Sequence, residues 1–303
     1  MNCYPHPKIR PGLNLSPLFT RLLLILLFFP QAVAADPFKA GDEPEAVILR
    51  GLWRSGEMIR YELNETVRIY HQEQLIETRE NSSLVHIDVA AHTPGQRYVL
   101  IWQLRETNAS LFDDPVLDRH MHSLIADGLV IETDGFGGIR QSTNIDELFA
   151  HFQLAVAELD GARHWDGRSD IREQLDLYLR DPALFEALLM RDIRFIFGLH
   201  GVEVRFDAEF TYDTWQENPW GEPAASQGRL FITGYDEQSR LLTVVNQVSL
   251  KPELKSGTLV LREEQTYQIA AGTGWPQEVR LFDEMGDGEF RRVRELHVTR
   301  VPF

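Results

Sequence analysis

The chain is almost without cysteine: Cys3 is the only one in 303 residues. That excludes a disulfide framework, a thiolate metal site and, once the N-terminus is removed, a thiol nucleophile. Long hydrophobic runs are also lacking. The longest, Leu22 to Phe29, stops at Pro30 after eight residues, well short of the ~20 a spanning helix needs. Positive charge is scarce, with 30 Lys and Arg against 46 Asp and Glu and a net charge of −16. An acidic body of this kind argues against nucleic acid and anionic lipid surfaces as partners, since both want Lys/Arg patches. The catalytic signatures are missing too: there is no Gly-x-Ser-x-Gly, His-Glu-x-x-His, P-loop or dinucleotide fingerprint. No cofactor is expected.

What is present begins at Arg21. A basic residue, a short apolar run, and then Ala32-Val33-Ala34 form the layout of a secretory signal peptide. Cleavage after Ala34 predicts an exported protein, periplasmic or secreted, with no membrane anchor. It removes Lys8, Arg10, Arg21 and Cys3, leaving 269 residues at a net charge of −19. A disulfide-free exported protein of this size suits a Gram-negative periplasm.

From Leu52 the hydrophobic period is two. Ile59, Tyr61 and Leu63 alternate with polar residues, and Val67 and Ile69 follow beyond an expected bulge at Asn64-Glu65. Val85, Ile87 and Val89 lead through the turn Thr93-Pro94-Gly95-Gln96 into a strand from Tyr98 to Leu104. The period changes to 3.6 at Thr143. Ile145, Leu148, Phe149, Phe152, Val156 and Leu159 share one helical face, with Asn144 at the start. A second helix is expected from Asp170. A third starts at Asp181-Pro182 and ends before Gly198. Alternation returns from Val202 in a hairpin over 229–250 and further strands to Val298.

These patterns predict an α+β protein that is predominantly antiparallel β, a curved sheet or incomplete barrel with a central helical insertion. The expected units are a signal peptide (1–34), an N-terminal β half (35–142), a helical segment (143–198) and a C-terminal β half (199–303). The alternative for the last three is one continuous domain over 47–303.

Chemistry is sparse. His120-Met121-His122 is the metal candidate, because residues two apart on a strand face the same way; two surface histidines in a polar loop are the alternative. Asp283 to Glu289 resembles a calcium loop in composition, but flanking strands make it a hairpin turn. An apolar ligand site is expected where the helical aromatics meet the sheet, with Trp102, Phe149, Phe152, Phe185 and Leu188 as candidate binding residues; simple core filling is the alternative.

The signal peptide, the cysteine-free mature chain and the long strands interrupted by helices resemble periplasmic lipoprotein-carrier-like proteins. In that family an incomplete antiparallel barrel capped by helices holds acyl chains. The resemblance implies a lipid or other apolar ligand, or an envelope protein partner. It rests on architecture over residues 52–300 and carries no motif residues across. The expected function is non-enzymatic binding. The alternatives are an envelope glycan or ester hydrolase using paired carboxylates among tryptophan walls, and an interaction module with an open sheet edge.

Overall fold

The structure is a computed structural model that describes residues 46–110, 114–162, 169–206, 208–218, 223–250 and 259–302. The segment 1–34 expected to be a signal peptide, with Cys3, and also Trp165 and Trp220 lie outside these residues.

The chain is α+β and dominated by one curved, unclosed antiparallel sheet. Its first strands are β1 (Ala46–Ile48), β2 (Met58–His71), β3 (Gln74–Thr93) and β4 (Arg97–Thr107). Helix α1 (Pro115–Asp127) precedes the short strands β5 (Leu129–Thr133) and β6 (Ile139–Ser142). Three helices follow: α2 (Ile145–Gly161), α3 (Ser169–Arg180) and α4 (Pro182–Phe197). The chain then forms β7 (Glu203–Arg205), β8 (Phe210–Glu217), β9 (Pro223–Asp236), β10 (Leu241–Leu250), β11 (Val260–Ala270), β12 (Pro276–Gly286) and β13 (Phe290–Val301). The sheet order is β6-β5-β4-β3-β2-β13-β12-β11-β10-β9-β8. The pairing of β13 with β2 therefore carries one sheet across both β halves. Strands β1 and β7 pair separately.

Period-two alternation decides which face is covered. Ile59, Tyr61 and Leu63 of β2, Val85, Ile87 and Val89 of β3, and Val279 and Leu281 of β12 all point to one side. On that side they share a core with Leu117 and Met121 of α1, Phe152 and Val156 of α2, and Phe185, Ile193 and Phe197 of α4. The helices start where caps allow. Asp114 accepts from the amides of Val116 and Leu117, and Asp181 from that of Ala183, each followed by proline at the first helical position. At α2 the expected cap is absent. The Asn144 side chain instead accepts from Val130 N and donates to Gly128 O, tying the helix to β5. No helix among the described residues is long and apolar enough to cross a membrane.

Two local expectations are corrected. No bulge occurs at Asn64-Glu65: the β2–β3 register runs unbroken there and shifts only between Ile69 and Tyr70. The reason is visible in the numbering, since Leu63, Glu65 and Val67 already share one parity. The stretch around His120 is helix α1, not a strand or loop.

An aromatic cluster closes the end of the helix layer. Trp53 stacks on Trp275 at 4.5 Å, with Tyr98, Phe197 and His200 around it at 5.0–5.5 Å. Gly137, at φ 92°, must lack a side chain here, because a Cβ would sit 2.8 Å from the Trp53 ring. His200 Nε2 lies 2.8 Å from Gly274 O. A carbonyl only accepts, so Nε2 carries a proton, and the neutral ring is the Nε2–H tautomer. Burial pushes the His200 pKa down from 6.5 to about 4, against the backbone carbonyls of Gly274 and Phe197 and the charge of Asp134, which raise it. Between those values the unfolded chain binds a proton that the folded chain does not. Stability is therefore expected to be full above pH 6.5 and to fall by up to about 3 kcal/mol as the pH drops to 4. Urea unfolding at pH 7, 5.5 and 4 checks this, and His200→Gln should flatten the dependence.

Candidate functional site

The site starts from one misplaced charge. Glu65 follows Ile59, Tyr61 and Leu63 in phase on the apolar face of β2. A carboxylate there must be paired, because an isolated buried charge is costly. Its partners come from both neighbouring strands. Arg294 Nε of β13 donates to Glu65 Oε1 at 2.6 Å, and Asn81 Nδ2 of β3 donates to Oε2 at 2.9 Å. Both members of the ion pair are largely enclosed, at 14% exposure for Glu65 and 21% for Arg294. Burial raises the Glu65 pKa, but Arg294, Asn81 and Arg191 of α4 overcome it and hold the carboxyl below its ordinary 4.5.

Above this pair, where α1 and α4 meet the sheet, lies a cavity of about 70 Å³. Its walls are apolar: Leu63, Val85, Trp102 and Leu104 from the sheet, Ile125 from α1, and Leu188 and Leu189 from α4. Its rim is polar: Glu65, Asn81, Ser83, Thr107, His122, Arg191 and Asp192. Arg191 donates from Nε to Asp192 at 2.8 Å and stays half-exposed. One side of the space thus offers hydrocarbon contact and the other offers donors and acceptors of both signs.

The polar rim continues along the same face of the sheet. Glu263 of β11 and Asp283 of β12 are directly opposed in register, and Asp283 is opposed to Arg294 of β13. Arg292 donates to Asp283 at 2.8 Å. Glu263 accepts from Gln265 Nε2 at 2.5 Å. Burial and then the adjacent Asp283 raise the Glu263 pKa above the usual carboxylate value. Tyr267 links this band to α4, since its hydroxyl lies 2.9 Å from both Phe195 O and Gln265 Oε1. The result is a polar strip that crosses several strands where the helix layer ends.

The expected binding residues separate into two groups. Trp102 and Leu188 line the cavity. Phe149, Phe152 and Phe185 sit together within the helix layer, with Phe152 stacked on Phe185 at 4.8 Å and Phe149 at 5.5 Å from Phe185. The metal candidate does not survive as drawn. On helix α1, residues two apart diverge by about 200°, so Met121 enters the core while His120 is exposed and His122 reaches the cavity rim. Among the described residues no group of three His, Cys, Asp or Glu could hold a metal ion. Of the tryptophans, Trp53 and Trp275 are core and Trp215 is exposed on β8.

A larger hollow of about 740 Å³ lies on the other face of the sheet, lined by Glu264, Glu278, Arg280, Glu295 and His297 among others. Paired charges dominate its lining, such as Glu278 with Arg280 and His297, with Leu281, Phe282 and Leu296 between them.

Comparison with known proteins adds little. No protein family matches the chain, and no curated protein does. Among solved structures the chain is similar to the hypothetical lipoprotein YmcC from Escherichia coli K12, with a TM-score of 0.25 and 11% identity over 80% of this chain and 86% of that one. A likeness of that degree lends no argument about function.

Proposed function

We propose that this is an exported binding protein that takes an amphiphile, a single acyl chain or similar apolar group with a polar head, between α1, α4 and the sheet. The observation that carries the reading is the cavity with apolar walls and a two-signed polar rim at Glu65, Asn81, Arg191 and Asp192. At about 70 Å³ the space is well below the ~300–1,000 Å³ of occupied ligand sites. Binding therefore requires α4 to swing outward. The half-buried Leu188 and Leu189 are the side chains that exchange sheet contact for ligand contact. Export rests on the Arg21–Ala34 segment.

The test is a titration with dansyl-labelled undecanoic acid, monitored by fluorescence and competed with a lysophospholipid. Leu104→Trp fills the cavity from the sheet side and is expected to weaken binding at least ~10-fold, about 1.4 kcal/mol, with little change in melting temperature. Unaltered binding in that variant would place the ligand elsewhere.

The Glu263–Asp283 pair favours a second reading. Opposed carboxylates, one with a raised pKa, are what a hydrolase acting on an envelope glycan or ester would use as acid and base. It takes second place because none of the described tryptophans joins that strip, so the stacking wall for a sugar is missing there.

A further inference from the structure

Resting on the amphiphile reading of this cavity, we infer that the head it takes is an oxyanion, a carboxylate or a phosphate, held by the guanidinium of Arg191. The hydrogen bonds already made around the rim select that head. Glu65 accepts from Arg294 on Oε1 and from Asn81 on Oε2, so both of its oxygens are engaged. The hydroxyls of Ser83 and Thr107 bond each other at 2.7 Å, and Thr107 Oγ1 also accepts from Ala109 N at 2.9 Å. Burial lowers the His122 pKa from its ordinary 6.5, against the charge of Asp118, so that ring is uncharged at pH 7.

Arg191 differs. A guanidinium has five N–H donors in a fixed fork. Nε donates to Asp192 Oδ1 at 2.8 Å, while Nη1 and Nη2 meet no acceptor among the described residues. Those two nitrogens form a planar pair that matches two oxygens of one carboxylate or phosphate. The fork also stands in the right place. Arg191 follows Leu188 by three residues on α4, one turn along the same side of the helix, and both line the cavity. A chain lying against Leu188 therefore brings its end to the guanidinium. A cationic head finds no such partner, because Glu65 is held by Arg294 and Asp192 would have to release Arg191. A neutral hydroxyl head accepts from the fork but forms no ion pair. Arg191 is half-exposed, so solvent screens the contact and the expected preference is about tenfold rather than larger.

The test is isothermal titration calorimetry of the full chain with dodecanoate, monododecyl phosphate, 1-monolauroylglycerol and inorganic phosphate, the lipids below their micelle concentrations. At least one of the two lipid anions should bind ~10-fold more tightly than the monoacylglycerol, with no heat from inorganic phosphate alone. The tighter of the two anions names the head. Arg191→Gln should abolish the preference. The double variant Arg191→Gln, Asp192→Asn keeps the net charge and should abolish it equally, which separates the fork from overall charge. A preference that survives in either variant, or equal binding of neutral and anionic lipids by the wild type, overturns the head-group assignment and leaves the amphiphile reading in place. Inorganic phosphate binding as tightly as the lipid anions would make this a free-anion site and also overturn the assignment. No binding of any of the three lipids removes the amphiphile reading, and the head-group assignment with it.

Discussion

Trp275→Ala is expected to lower the melting temperature by roughly 10 °C. Removing a large buried aromatic costs about 3–5 kcal/mol, and each kcal/mol moves the midpoint of a domain this size by ~2–4 °C. Trp275 is completely buried. Its ring stacks on Trp53, meets the edge of Phe197 and donates from Nε1 to Glu57 Oε1 at 2.8 Å. The truncation therefore opens a void where the segment before β2, the end of α4 and the turn before β12 converge, and leaves Glu57 without that donor. Little collapse into the void is available, because Gly274, at φ 73°, is already packed against the Arg50 carbonyl. Trp275→Phe keeps part of the ring and should lose about half as much. Thermal denaturation of both variants checks the ordering; a loss under about 1 kcal/mol for the alanine variant would mean the cluster is not a structural keystone.

Arg294→Met should cost about 3–5 kcal/mol, the usual price of stranding one partner of an enclosed ion pair. The pH dependence separates this cause from simple loss of packing. In the native protein the Glu65 pKa lies below its ordinary value, so its contribution is present above that ordinary value and is lost as pH falls through the depressed one. Without Arg294, burial governs and raises the Glu65 pKa, so the variant recovers stability as the carboxyl takes up a proton. The gap between the two proteins should therefore narrow in acid. Glu65→Gln placed on Arg294→Met should restore part of the loss, and a double-mutant cycle by urea unfolding measures the coupling. A gap constant with pH would contradict the ion-pair account.

Much of the frame was legible in the primary structure because it depends on short-range signals. Parity marked the inward faces of β2 and β3, and Asp181-Pro182 marked the start of α4. The same Asp-Pro signature stands at Asp114-Pro115, and Leu117, Met121, Leu124 and Ile125 recur at helical spacing. Helix α1 is legible there, with the polar His120 and His122 interrupting its apolar face. The β2–β3 hairpin was not readable, because Gln72 and Glu73 both take positive φ without Gly or Asn to announce it. The site was half legible. Glu65 in phase with Leu63 signals a carboxylate on the apolar face, and Trp102 and Leu188 line the cavity beside it. Arg294 lies 229 residues from Glu65, and only the pairing of β13 with β2 brings them together. No local pattern encodes that meeting, nor the opposition of Glu263 and Asp283 across β11 and β12.

The central claim, that an amphiphile occupies the space between α4 and the sheet, is tested most directly by native mass spectrometry of the protein purified from its own host, with organic extraction of whatever is bound. The expected result is a stoichiometric single-chain adduct that is absent when the Leu104→Trp protein is prepared in the same way. A clean apo mass for the wild-type protein, or an adduct that persists unchanged in the filled-cavity variant, would contradict the account.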